Sequence, residues 1–156
     1  MDIETRLKDL GITLPAPPAP VAAYVPFTIT SAASGKQVYV AGQLPLLDGK
    51  LLHPGHLGGT VSVADGQAAA RQCAINILAQ LKAACGDLNK VGACLKLGVF
   101  ISATADFTQH PEVANGASEL IAAVLGEAGK HARSSVGVPS LPRGAAVEVD
   151  AVFELT

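Results

Sequence analysis

The 156-residue chain has no tryptophan, one methionine and only two tyrosines and four phenylalanines. A core with so few large rings has to be built from smaller aliphatic side chains, which are abundant, because 49% of the residues are hydrophobic. One domain of this length buries about 68–70% of the surface that its unfolded chain exposes. The excess of apolar residues also indicates that a partner subunit covers some apolar surface.

Runs of like charge and several ligand-binding motifs are also missing. The chain has 11 basic and 13 acidic side chains and a net charge of −2, so we expect neither nucleic acid nor a membrane surface as a partner. There is no phosphate-binding P-loop and no dinucleotide fingerprint. His53 and His56 have no third ligand nearby, so we expect no metal and no cofactor.

Cysteine is scarce, and a secretory signal is absent. Three cysteines without a Cys-x-x-Cys pair indicate a reducing compartment and no disulfide framework. The first residues include Asp2 and Glu4 instead of a basic region followed by an apolar stretch, and no segment has the length of a membrane span. We therefore expect a cytoplasmic protein.

The spacing of apolar residues predicts a short N-terminal helix and a proline-rich connector within residues 1–20, and an α+β domain over residues 21–156. In that domain the order is strand, strand, helix, strand, helix, strand, strand. The fold class is thus α+β, with two helices packed on one face of a mixed sheet. The predicted elements are strands at 27–30, 36–40 and 91–104, helices from Ser62 to Gly86 and from Pro111 to Gly126, and a final hairpin.

The final hairpin holds the most informative residues. Leu141 to Gly144, with Pro second and Gly fourth, predict a type I turn. Antiparallel pairing around that turn sets Ser135 opposite Asp150, and alternation places both with Arg133 and Glu148 on one polar face. A slip of one residue would move Glu148 to the opposite face. A solvated face carrying an ordinary ion pair is the alternative interpretation.

The same residues resemble the C-terminal signature of the Rid family of reactive intermediate deaminases, also named after endoribonuclease L-PSP. The likeness is carried by Ala132-Arg133-Ser134, the Leu141-Pro142 turn and Val147-Glu148-Val149-Asp150-Ala151. Residues 38–45 are similar to the family's second strand and residues 67–72 to the start of its first long helix. The resemblance covers roughly residues 20 to 155. It implies a chorismate-mutase-like fold and a homotrimer with ligand clefts between subunits.

The resemblance also implies two catalytic residues. Arg133 matches the arginine that grips the substrate carboxylate, and a guanidinium fork suits that task better than an ammonium group. Glu148 matches the acid that positions or activates water for attack on an imine carbon. Asp150, on the same predicted face, could equally be a structural partner of Arg133.

Four further residues are implied to bind substrate. Tyr24 lies where the family has Gly-Pro-Tyr-Ser-Gln, although only the tyrosine is retained, and an aromatic residue before a strand is the alternative. Asn115 matches an asparagine at the second helix, with an ordinary helix-surface residue as the alternative. Gly42 could offer an amide donor or simply end a strand. Ser135 replaces a cysteine common in the family, so thiolate chemistry is expected to be missing.

The leading functional hypothesis is hydrolytic deamination of small 2-imino or enamine acids, such as 2-aminoacrylate, to 2-keto acids and ammonia. The protein would then be a 2-iminobutanoate/2-iminopropanoate deaminase-like hydrolase. The alternative is a non-catalytic protein that binds a small carboxylate metabolite. A ribonuclease or translation inhibitor ranks third, because the chain is acidic and has no aromatic-basic stripe. His110 and His131 have no triad-like Ser or Cys partner, and no role is assigned to them.

Overall fold

A computed structural model describes residues 2–20, 22–32 and 35–156. The predicted α+β class with a mixed sheet is confirmed, and the main elements follow the predicted order. A short hairpin outside the main sheet, β3 with β4, lies between β2 and α2. The elements are α1 (Ile3–Asp9), β1 (Phe27–Ala32), β2 (Gly35–Gln43), β3 (Leu46–Leu47), β4 (Lys50–Leu51), α2 (Val63–Cys85), β5 (Val91–Ser102), α3 (His110–Leu125), β6 (Ala132–Val138) and β7 (Val147–Leu155).

The two long helices begin and end at the predicted signals. The Ser62 hydroxyl accepts a hydrogen bond from the Asp65 N–H at 3.1 Å and caps α2. Gly86 ends α2 with a positive φ of 75°, which costs a glycine little. Pro111 occupies the first turn of α3, and Gly126 ends that helix. None of the helices in the described residues is long and apolar enough to cross a membrane.

The hydrophobic core lies between the helices and one face of the sheet. Alternate residues of β7 are buried in it, namely Val147, Val149, Ala151 and Phe153. Ile3 and Leu7 of α1 join the same core. The proline-rich segment runs beside α2, where the buried Gln80 side chain donates to the Pro18 carbonyl at 2.7 Å.

The strand order, β1-β2-β7-β5-β6, overturns the predicted hairpin. β5 lies between β6 and β7, pairing parallel with β6 and antiparallel with β7. Gly98 of β5 is therefore opposite both Ser134 and Asp150. The prediction that β6 and β7 pair directly, with Ser135 opposite Asp150, is wrong.

Two physical causes favour the observed order. Pro139 and Pro142 have no N–H, so a ladder cannot continue into a two-residue turn. β5 is 12 residues long and buries Leu97, Val99 and Ile101, and a central position lets it form hydrogen bonds along both edges. The Gly144 N–H does donate to the Leu141 carbonyl at 3.2 Å, but Arg143 has a φ of 60°. The turn is therefore not the predicted type I turn.

Candidate functional site

Where β6 meets the start of α3, four polar side chains form what we call the arginine cluster: Asn115, Ser118, His131 and Arg133. Arg133 Nη1 donates to Asn115 Oδ1 at 2.9 Å and to Ser118 Oγ at 3.0 Å. Nη2 donates to the Pro111 carbonyl at 3.4 Å. Spacing of three residues puts Asn115 and Ser118 on one side of α3. The fold thus brings together two predicted site residues, Arg133 and Asn115.

These bonds leave part of the guanidinium free. The group has five N–H donors, and the three hydrogen bonds use both on Nη1 and one on Nη2. The remaining N–H groups belong to Nε and Nη2, which form the side edge that binds a carboxylate through two parallel bonds. No ion pair among the described residues involves Arg133. The half-buried arginine therefore keeps two N–H groups, one on Nε and one on Nη2, without an acceptor among the described residues.

A second group, which we call the glutamate cluster, lies on the open face of the sheet: Gly42, Gly98, Glu148 and Asp150. Both acids alternate along β7 with residues of the core, so they face away from the helices. A Cβ at Gly42 would overlap Glu148 Oε1, and one at Gly98 would overlap Asp150 Oδ1. The register of β2 shifts by one residue beside Gly42, as in a β-bulge. The glycines make room for the two carboxylates.

The environment of these acids disfavours their charged forms. Burial raises the pKa of Glu148, and the negative charge of Asp150 raises it further. Burial also raises the pKa of Asp150, although a hydrogen bond from the Gly98 N–H and the charge of Lys96 act in the opposite direction. Glu148 is therefore a stronger base than an ordinary surface glutamate.

The other predicted binding residues are distributed between the clusters. Tyr24, 47% exposed, lines a cavity of about 60 Å³ together with Gly42 and Arg143. Ser135 is half-buried and lies two residues along β6 from Arg133, on the same face of that strand. Gly42 thus lies against Glu148 and shares a cavity with Tyr24, whereas Asn115 contacts Arg133 and Ser135 shares the strand face of Arg133.

The two clusters are on opposite faces of the sheet. Arg133 contacts α3, whereas Glu148 and Asp150 face away from the helices. Because β5 separates β6 from β7, their backbones are also roughly 10 Å apart. The predicted shared face of Arg133, Ser135, Glu148 and Asp150 is therefore wrong, since it depended on direct pairing of the two strands.

Two members of the arginine cluster were missed from the sequence. Ser118 Oγ is 2.9 Å from His131 Nε2, so this histidine does have a serine partner. The available signal was residue spacing. Asn115 and Ser118 are three positions apart on a helix, and His131 and Arg133 are two positions apart along the β6 segment, so each pair shares one side of its element. It could not be used without knowing that β6 lies next to α3.

The described part of the chain offers neither a metal-binding cluster nor a thiol with a lowered pKa. Among the described residues, no group of three or more His, Cys, Asp or Glu side chains could hold a metal ion. Burial raises the pKa of Cys94 to about 12 and raises the pKa of Cys73 as well. These two thiols are therefore protonated at neutral pH and poor nucleophiles.

Residues 4–155 match the family described as "YjgF/chorismate mutase-like, putative endoribonuclease". The chain belongs to this family. It is 49% identical over 154 residues to Protein TCP17 of Trypanosoma cruzi, covering 98% of this chain and 94% of that one. The crystal structure of Atu1372 from Agrobacterium tumefaciens, described as of unknown function, shares 51% identity, covers 99% and 92% of the two chains and gives a TM-score of 0.90.

A more distant structural neighbour was solved with a ligand. TdcF of Escherichia coli, crystallised with bound serine, has 22% identity and a TM-score of 0.64, with 90% of this chain and 94% of TdcF covered. At this identity the likeness establishes the fold alone. Membership of the YjgF family supports a general role in processing or binding small molecules.

Proposed function

We propose that the protein is a cytoplasmic hydrolase that converts small 2-imino and enamine acids to 2-keto acids and ammonia. The observation that carries the proposal is the state of Arg133. Neutral acceptors hold its guanidinium, and the Nε and Nη2 edge has no carboxylate partner among the described residues. That edge matches the carboxylate of a 2-imino acid in charge and geometry.

The proposed chemistry needs a base that later acts as an acid. Glu148 accepts a proton from water as the water oxygen bonds to the imine carbon. The protonated Glu148 returns that proton to the nitrogen, which gives a carbinolamine. Glu148 then takes the remaining hydroxyl proton and passes it to the nitrogen as the carbon–nitrogen bond breaks, so that imine and water become ketone and ammonia. A raised pKa suits both steps, because Glu148 binds and releases the proton closer to neutral pH.

Two copies of the chain are needed to bring these groups together, since one chain holds them on opposite sheet faces. We place Arg133, Asn115 and Ser135 of one copy against Tyr24, Gly42 and Glu148 of the next, in a homotrimer. Support comes from the open face, where a cleft of about 450 Å³ is lined largely by apolar residues. Tyr39 and Val136 in this cleft are 44% and 47% exposed, as expected of a surface that packs against another copy.

The proposal is tested by following the decay of an imine generated in place by an amino-acid oxidase. We expect the wild-type protein to accelerate formation of the 2-keto acid and the Arg133→Ala variant to have lost most of that rate. Light scattering should give the mass of three chains. Equal rates with wild type, with Arg133→Ala and without protein would contradict the activity, and a monomer would contradict the assembly.

A second candidate is a protein that binds a small carboxylate without converting it. It is favoured by the separation of the clusters, because the arginine cluster alone presents a carboxylate-binding edge without Glu148. TdcF, which has the same fold, binds serine, itself a small carboxylate. Calorimetry showing tight binding of a 2-keto acid, together with no turnover of any imine, would select this candidate.

A further inference from the structure

A chain of hydrogen bonds runs from the backbone before β6 to the guanidinium of Arg133. His131 Nδ1 is 2.6 Å from the Gly129 carbonyl, and His131 Nε2 is 2.9 Å from Ser118 Oγ. Ser118 Oγ is 3.0 Å from Arg133 Nη1. All of these side chains are half-buried, so surrounding protein partly shields these hydrogen bonds from bulk water.

The chemistry of each group fixes the direction of these bonds. The Gly129 carbonyl can only accept, so the proton of a neutral His131 is on Nδ1. Nε2 is then an acceptor and takes the hydroxyl proton of Ser118. The Ser118 oxygen consequently turns a lone pair towards Arg133, which can only donate.

This direction matters for Arg133 because its long side chain otherwise rotates freely. Asn115 and Ser118 together take both hydrogens of Nη1, which sets the plane of the guanidinium and the side on which Nε and Nη2 remain open. A serine whose hydroxyl proton pointed at the arginine would repel it. His131 prevents that arrangement by holding the hydroxyl proton.

We infer that His131 is a positioning residue that acts through Ser118 to aim the guanidinium of Arg133 at the carboxylate of the substrate. The inference rests on the proposed function, in which Arg133 binds that carboxylate. It assigns His131 no contact with the substrate and no proton transfer in the reaction. Its effect belongs to binding, so it alters KM and leaves kcat nearly unchanged.

The experiment compares Ser118→Ala, His131→Leu and His131→Gln with wild type, using the imine assay for KM and kcat and calorimetry with 2-oxobutanoate for Kd. We expect Ser118→Ala and His131→Leu to raise KM and Kd about tenfold, the usual scale for losing one hydrogen bond to a charged group, with kcat within about twofold. His131→Gln should restore most of the affinity, because its amide oxygen can accept the Ser118 hydroxyl proton. His110→Leu, which changes a histidine at the start of α3 outside this chain of hydrogen bonds, is the control and should bind like wild type.

Nitrogen NMR of the His131 ring adds a test that needs no variant. We expect a proton on Nδ1 and a hydrogen-bonded Nε2 without one, and a change at Nε2 in Ser118→Ala. A ring protonated on Nε2, or wild-type affinity in both Ser118→Ala and His131→Leu, would overturn the inference. The proposed function fails separately, if Arg133→Ala still binds 2-oxobutanoate like wild type.

Discussion

The arginine cluster and the glutamate cluster carry opposite charges in one sheet but do not pair with each other. Side chains and a carbonyl of α3 hold Arg133, whereas Glu148 and Asp150 lie against glycines of neighbouring strands. None of the ion pairs among the described residues includes Arg133, Glu148 or Asp150. α3 therefore orients Arg133 by supplying hydrogen-bond acceptors. β2 and β5 make room for the two acids by having glycine at positions 42 and 98. Both charges remain available to a ligand.

The largest expected effect comes from removing the base while keeping its shape. Glu148→Gln should lower kcat for imine hydrolysis by about 10²–10⁴, the usual contribution of general acid–base catalysis, and leave KM nearly unchanged. Steady-state kinetics measures this. Asp150→Asn, which neutralises the neighbouring acid, is the matched control and should retain most of the rate. A wild-type kcat in Glu148→Gln would show that Glu148 is not the base of the reaction.

Removing the cation should affect binding more than the chemical step. Arg133→Ala should weaken binding of 2-oxobutanoate about 100-fold, since a two-pronged charged hydrogen bond is lost. Arg133→Lys should recover only part of this, because a lysine lacks the fork. Calorimetry gives both values. Arg71→Ala removes an exposed arginine of α2 and serves as control; equal losses at the two positions would indicate a general charge effect.

The glutamate cluster can also be disturbed from the neighbouring strand. Gly42→Ala would place a methyl group where the flexible end of the Glu148 side chain lies, so the carboxylate must move. We expect kcat to fall about tenfold and stability to change by about 0.5 kcal/mol or less, because the glutamate side chain can rotate away. Kinetics and thermal unfolding measure these. In the Glu148→Gln background the same alanine should lower kcat little further. An equal additional loss there would show that Gly42 acts independently of Glu148.

The coupling between the two acids should be visible in the pH dependence of the rate. Glu148 acts as a base only when ionised, so kcat/KM should fall on the acidic side of its raised pKa. Asp150→Asn removes the like charge that helps to raise this pKa, and the acidic limb should move to lower pH. If the acidic part of the kcat/KM profile has the same midpoint in Asp150→Asn as in wild type, burial alone sets the pKa of Glu148.

The smallest effect concerns stability. A raised pKa in the folded protein means that ionised Glu148 is disfavoured there relative to the unfolded chain, where the pKa of a glutamate is about 4.3. The contribution of this residue to the free energy of unfolding therefore decreases as pH rises from about 4.3 through the raised value. Glu148→Gln should unfold at a slightly higher temperature than wild type at pH 7 and show less difference at pH 4. Calorimetric scans at both values test this, and a lower melting temperature at pH 7 would contradict it.

The contrast between the clusters also shows what sequence reasoning could reach. Element boundaries were predictable because their signals are local, as with Ser62 before α2 and Gly126 after α3. Alternation along β7 also held, with Val149 inside and Glu148 outside. Side chains alternate between the two faces of a strand every second residue, and this can be predicted without knowing the neighbouring strands.

What could not be predicted was how β6 and β7 are related. Strand order depends on the whole sheet, and the insertion of β5 reversed the face assigned to Arg133 relative to Glu148. Val136 is 47% exposed, because β6 is an edge strand whose inner side receives Arg133 and meets polar groups of α3. The contact of Arg133 with Asn115 follows from that placement. Ser118 and His131 join the site for the same reason.

The fit between Gly42 and Glu148 has a consequence for related proteins. A chain with a Cβ at the position of Gly42 cannot keep a glutamate in this orientation at the position of Glu148. The two positions are therefore expected to change together during divergence. Homologues could then be sorted by this pair of positions: those with glycine and glutamate retain the same acid geometry, and those with a bulkier first residue have given it up.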